Sequence, residues 1–221
     1  MASGYEAIIW GYFKEKIGNE YGVAGLMGNL QAESGLYPDR VQGDIPYSSY
    51  SQEYTAKVDN GTISEYDFVH NGPNGGGYGL AQWTFYTRKQ ALYNMKKERG
   101  FSSIGSIGLA CEFLWSELQT TYSGVLAVLK TATSIRQASD SVLHDFENPA
   151  DQSTNVEELR ESLSQHWYDL YTGTSGEDMP EDEEPDNPDE PSTTSKKRKR
   201  YNFILFNHRR RMLWNGTNYF H

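Results

Sequence analysis

From residue 5 to about residue 173, apolar and polar positions recur every three or four residues, the spacing that lays one face of an α-helix on a core. Tyr5, Ile8, Ile9, Tyr12, Phe13 and Ile17 make one such stripe, and Gly18 closes it. Val23, Leu26, Met27 and Leu30 make a second within "GVAGLMGNLQAESG", whose glycines lower helix propensity but let a neighbouring helix approach closely. Residues 87–99 read as a helix ending at Gly100, and residues 106–119 set Ile107, Ala110, Cys111, Leu114 and Leu118 on one face. Residues 124–130 add Val125, Val128 and Leu129. Ser134 is placed to cap a helix carrying Ile135, Ala138, Val142 and Phe146, and Asn155 with Glu158 forms a capping-box pattern ahead of Leu159, Leu163 and Trp167. The expected fold class is therefore all-α over residues 1–173.

Residues 37–77 break the pattern. Short β-compatible runs flank Asn60-Gly61, a turn signal compatible with a small hairpin, and "HNGPNGGGYG" follows. An irregular insertion of this length in a helical domain is usually a functional lid or wall. The helical pattern ends at residue 173. Residues 174–195 are acidic, Pro-rich and apolar only at Met179, a composition too poor in apolar surface to order itself, so they read as a linker. Residues 196–221 open on "KKRKR" and continue through an apolar run to three consecutive arginines, the expected start of a further module. The basic run reads more readily as a solvated junction than as a nucleic-acid arm.

Charge and composition narrow the chemistry. The chain carries a net charge of −10, and residues 1–173 hold 12 Lys/Arg against 21 Asp/Glu. A nucleic-acid partner is not expected of such a surface. The start lacks a basic segment leading into an unbroken apolar one, and no stretch is long enough to span a bilayer, so synthesis in the cytoplasm without membrane insertion is expected. One cysteine, Cys111, allows no internal disulfide, and no spaced cluster offers a metal site. Cys111 falls on an apolar stripe and reads as core, against a cysteine nucleophile. The sixteen tyrosines, mostly interleaved with glycine and polar residues, suit a groove that meets a polar ligand with flat faces.

Glu33 is the candidate for chemistry. It follows Leu30 by three residues and Leu26 by seven, so a continuous helix turns its carboxylate toward the apolar face, near the helix C-terminus. Burial and the helix end both favour the protonated form, and a carboxylic acid kept protonated near neutral pH can protonate a glycosidic oxygen. An ion pair with an arginine such as Arg40 is the structural alternative.

"NLQAESGL" and "GYGLAQWT", with the downstream "FLWSEL" and "FENP" stretches, resemble the phage tail lysozyme family over about residues 5–172. The resemblance implies a lysozyme-like fold and a domain that cleaves bacterial peptidoglycan, with Glu33 as general acid and Ser34 supporting it. Tyr78, Gly79, Leu80, Ala81, Gln82 and Trp83 would form the opposing wall of the cleft, with Gln82 offering an amide and Trp83 either a stacking face or a core anchor for the following helix. In glycosidases a second carboxylate lies about 6.5–9.5 Å from the acid for inversion, or nearer for retention. Asp44 and Asp67 are the first candidates for it, ahead of Asp39, Glu53 and Asp59, and Glu117 and Glu147 are further possible wall residues. With no such group in reach, a lone acid can support lytic transglycosylation instead. A third reading is a non-catalytic wall-binding or tail module. The expected partners are peptidoglycan and either other tail proteins or a downstream wall-binding module, and no cofactor is implied.

Overall fold

A computed structural model describes residues 4–72 and 76–173. The expected linker at 174–195 and terminal segment at 196–221 lie outside the described residues. In chain order the helices are α1 (Glu6–Ile17), α2 (Glu20–Ser34), α3 (Ser49–Asp59), α4 (Glu65–His70), α5 (Tyr86–Arg99), α6 (Ile107–Gln119), α7 (Ser123–Thr131), α8 (Ile135–Ser141) and α9 (Thr154–Thr172). A π-helical turn, Val142–Glu147, extends α8. The all-α expectation holds, with no strand among the described residues.

The fold is organised around α2. Asn19 caps its start by accepting from the Tyr21 N–H at 3.0 Å, and Gly35 ends it with φ 65°. Every residue from Gly22 to Leu30 is buried, because α1, α7, α8 and α9 all pack on it. Glycine makes that possible. A Cβ on Gly25 would stand 2.6 Å from the Ala138 Cβ of α8, and one on Gly28 would meet the Ser164 backbone of α9 at 2.5 to 2.7 Å. Removing the large apolar side chains around α2 from water contributes on the order of 1.5–3 kcal/mol each.

The sequence pattern needs correction in four places. The insertion contains α3 and α4 rather than a hairpin, and Asn60-Gly61 is the turn after α3. What the sequence offers there as strand is satisfied by helix caps, Ser48 accepting from the Tyr50 N–H and Ser64 from the Asp67 N–H. The expected helix through Phe146 gives way to the π turn after Ser141, which ends at Asn148 with φ 44°. The capping box at Asn155 is not used, since Ser153 precedes the first turn of α9 and Asn155 lies inside the helix. On α9 the inward positions are Arg160, Ser164 and Trp167, while Leu159 is 51% exposed.

Candidate active site

Glu33 lies in the last turn of α2, and its side chain is 23% exposed, between core and solvent. Its partner is Arg160 of α9, whose Nη2 donates to Glu33 Oε1 at 2.5 Å while Nη1 donates to the Asn29 carbonyl at 2.7 Å. Arg160 is itself buried, so one guanidinium ties the end of α2 to α9 and places a positive charge against Glu33. The arginine suggested by sequence, Arg40, instead donates to the Ser34 carbonyl at 3.1 Å. Asn29 is buried too and donates to the carbonyls of Gly25 and Ser139.

A second carboxyl meets this group from the π turn. Glu147 Oε1 is sealed from solvent and has no hydrogen-bond partner among the described residues. Burial pushes this carboxyl well above the ordinary range, and the Glu33 charge adds to the shift; Arg160 and Arg88 oppose it, and Glu117 reinforces it. Beyond it, Glu117 of α6 accepts from Arg88 at 2.6 and 2.8 Å and from Trp83 Nε1 at 2.9 Å. Three glutamates and two arginines thus meet where α2, the π turn, α5, α6 and α9 converge. Lack of solvation, reinforced by the Glu33 charge, therefore favours keeping the proton on Glu147.

The expected wall residues take other roles. Tyr78 and Trp83 are fully buried, so neither offers a sugar a stacking face; Tyr78 shares a 2.7 Å hydrogen bond with Thr55, and Trp83 is spent on Glu117. Ser34 is fully buried and donates back to the Leu30 carbonyl at 3.0 Å, which excludes substrate contact but locks the turn beside Glu33. Gln82, at φ 46°, donates its amide to the carbonyls of Arg40 and Gly79. Gly79, at φ 80°, lies so close to the Trp83 ring that a Cβ would meet it at 2.8 Å. Residues 78–83 therefore form a packed bracket, because the Tyr78 hydroxyl, the Gln82 amide N–H and the Trp83 indole N–H all find partners within the chain.

Asp44 and Asp67 are likewise engaged. Asp44 takes hydrogen bonds from the hydroxyls of Ser48 and Ser51, both at 2.6 Å, and from their backbone N–H groups. Burial works to raise its carboxyl, but those bonds outweigh it and hold it below the ordinary value. Asp67 lies on the surface in the first turn of α4, where it accepts from the Ser64 hydroxyl and the Asn71 amide. No described hydrogen bond or ion pair joins either aspartate to Glu33. Asp59 pairs with Lys96, and Asp39 takes the Tyr47 hydroxyl. Asp140, His144 and Glu157 lie close enough together to hold a cation, but Arg136 already donates to both carboxylates.

Arg160 and Arg88 are the members of this charged group that the sequence did not single out. A signal existed for Arg160, a charged residue in register with Ser164 and Trp167 at helical spacing, though nothing in the sequence names its partner.

The phage tail lysozyme family model matches residues 5–171. The chain belongs to the phage tail lysozyme family. It is accordingly a lysozyme-like, cell-wall-degrading domain with peptidoglycan as its substrate. Comparison with curated proteins and with solved structures returned no match. In this family member the Glu-Ser dipeptide ends the central helix, and the Gly-Leu-Ala-Gln segment is tied to it through Arg40, whose carbonyl accepts from Gln82 and whose guanidinium donates to the Ser34 carbonyl.

Proposed function

We propose that the protein is a muramidase that hydrolyses the β-1,4 bond between N-acetylmuramic acid and N-acetylglucosamine, opening the wall locally as part of a phage tail. The observation that carries this reading is the partly exposed carboxyl of Glu33, gripped by buried Arg160 at the end of the central helix. Glu33, the partner nearer solvent, passes a proton to the leaving glycosidic oxygen. Glu147 holds a proton in reserve, and Arg160 fixes the Glu33 carboxyl in direction. Water then adds to the anomeric carbon and returns a proton to the carboxylate. Asp44 and Asp67, tied down in their own turns, are not assigned the second role.

A lytic transglycosylase is the second reading, favoured by the absence of any exposed carboxylate bonded into the site among the described residues. One acid can protonate the leaving group and then help the sugar's own hydroxyl attack. Mass spectrometry of muropeptides released from purified peptidoglycan decides between the two. Reducing-end muramic acid, lost with Glu33→Gln, is the expected result, and a 1,6-anhydro product assigns the second chemistry. Intact wall with the unaltered protein would leave a non-catalytic wall-binding module.

A further inference from the structure

The start of α5 opens into a cavity of about 370 Å³ bounded by His70, Asn71, Gly72, Gly76 and residues 84–86, with Lys89 at its wall. Lys89 is 2% exposed, yet no described residue accepts a hydrogen bond from its ammonium or forms an ion pair with it. Its position in the second turn of a 14-residue helix tilts the side chain back toward the N-terminus. The Nζ lies against Gly72 and Gly76, 2.7 Å and 3.4 Å from where a Cβ would stand on each. Burial, with no anion to offset it, pushes the ammonium below its ordinary value. A buried cation without a partner is costly, and that cost is recovered when an anion enters.

The helix end points to the same ligand. Phe85 caps α5 without a side-chain hydrogen bond, and among the described residues nothing accepts from the Tyr86 or Thr87 N–H. Those two donors and the dipole of a long helix favour negative charge in the space that Lys89 faces. Beside it stands an exposed aromatic row. The Tyr66 and His70 rings stack at 4.3 Å and those of His70 and Tyr86 at 5.5 Å, while Phe85 is 70% exposed. A ligand for this surface carries an anionic group next to flat, weakly polar faces.

We propose that this cavity is a subsite for a free carboxylate of the peptidoglycan stem peptide, with Lys89 and the first N–H groups of α5 as its donors. This rests on the peptidoglycan-cleaving reading above and extends it to the substrate's acidic part. A polyphosphate chain fits less well, because the acidic body repels a repeating anion while one lysine meets one charge. The subsite and the acid group share a scaffold: Arg88, the neighbour of Lys89, holds Glu117 on another side of the same helix.

Muramyl dipeptide has a free carboxylate but no glycosidic bond, so it tests binding on the unaltered full chain without turnover. Calorimetric titration is expected to show it binding at least about tenfold more tightly than its amide, in which the carboxylate is neutralised. Lys89→Met is expected to abolish that difference while leaving affinity for the amide unchanged, and to melt no lower than the parent chain. Equal affinity for acid and amide in the unaltered chain, an unchanged preference in Lys89→Met, or tighter binding of glycerol phosphate than of muramyl dipeptide would each overturn the subsite. Wall cleavage without any acid-over-amide preference would overturn the subsite alone. The preference without wall cleavage would keep the subsite and overturn the muramidase.

Discussion

At the residue scale, chemistry depends on charges held where water is scarce. Glu33 was legible because a carboxylate on the apolar face of a helix stands out in the pattern. Arg160 was not, because its partner is 127 positions away and only the packing of α9 on α2 brings them together. General acids of this kind contribute about 10²–10⁴-fold, so Glu33→Gln should lower wall cleavage by that factor in a turbidity assay while the fold persists. Glu147 yields a prediction about stability. Unfolded, its carboxyl titrates near 4.5; folded, it is raised by burial. Between those values the unfolded chain releases a proton that the folded chain keeps, so stability falls as pH rises. Glu147→Gln should therefore melt at or above the parent temperature at pH 7 to 8, with the two curves converging below about pH 4.5. An offset that does not change with pH would refute this role.

At the element scale, α2 sets the geometry. Its glycines were readable as close-approach positions, but the helices they admit became visible only in three dimensions: Ala138 of α8 over Gly25, and Ser164 of α9 over Gly28. Gly25→Ala and Gly28→Ala should each cost about 1–3 kcal/mol in urea unfolding, by forcing those helices apart. Gly11 of α1, with nothing within 4 Å of its missing Cβ, is the control. There alanine should stabilise by about 0.5–1 kcal/mol, through helix propensity alone. If all three shift alike, close packing is not what glycine serves here. The π turn illustrates the opposite limit. Residues 142–147 have ordinary helical periodicity, and the extra residue in the turn that carries Glu147 leaves no mark in the hydrophobic pattern.

At the scale of the whole molecule, charge governs the encounter with the wall. The chain carries −10 and its helical body is acidic, whereas bacterial walls are themselves anionic. Initial rates on purified wall should rise as salt goes from a few millimolar to about 0.1 M, where screening acts within about 10 Å. A steady fall over that range would mean that local attraction, not overall repulsion, dominates. The sequence by itself determined the helical class and singled out Glu33 as a candidate, because periodicity and a carboxylate on an apolar stripe are local properties. The packing of Tyr78 and Trp83, the engagement of Asp44 and Asp67, the pairing of Glu33 with Arg160, the burial of Glu147 beside the Glu33 charge, and the lack of a partner for Lys89 among the described residues were decided by tertiary structure. Burial and ion pairing depend on which distant helix arrives at a side chain, and a linear pattern records which face turns inward but not what it meets there.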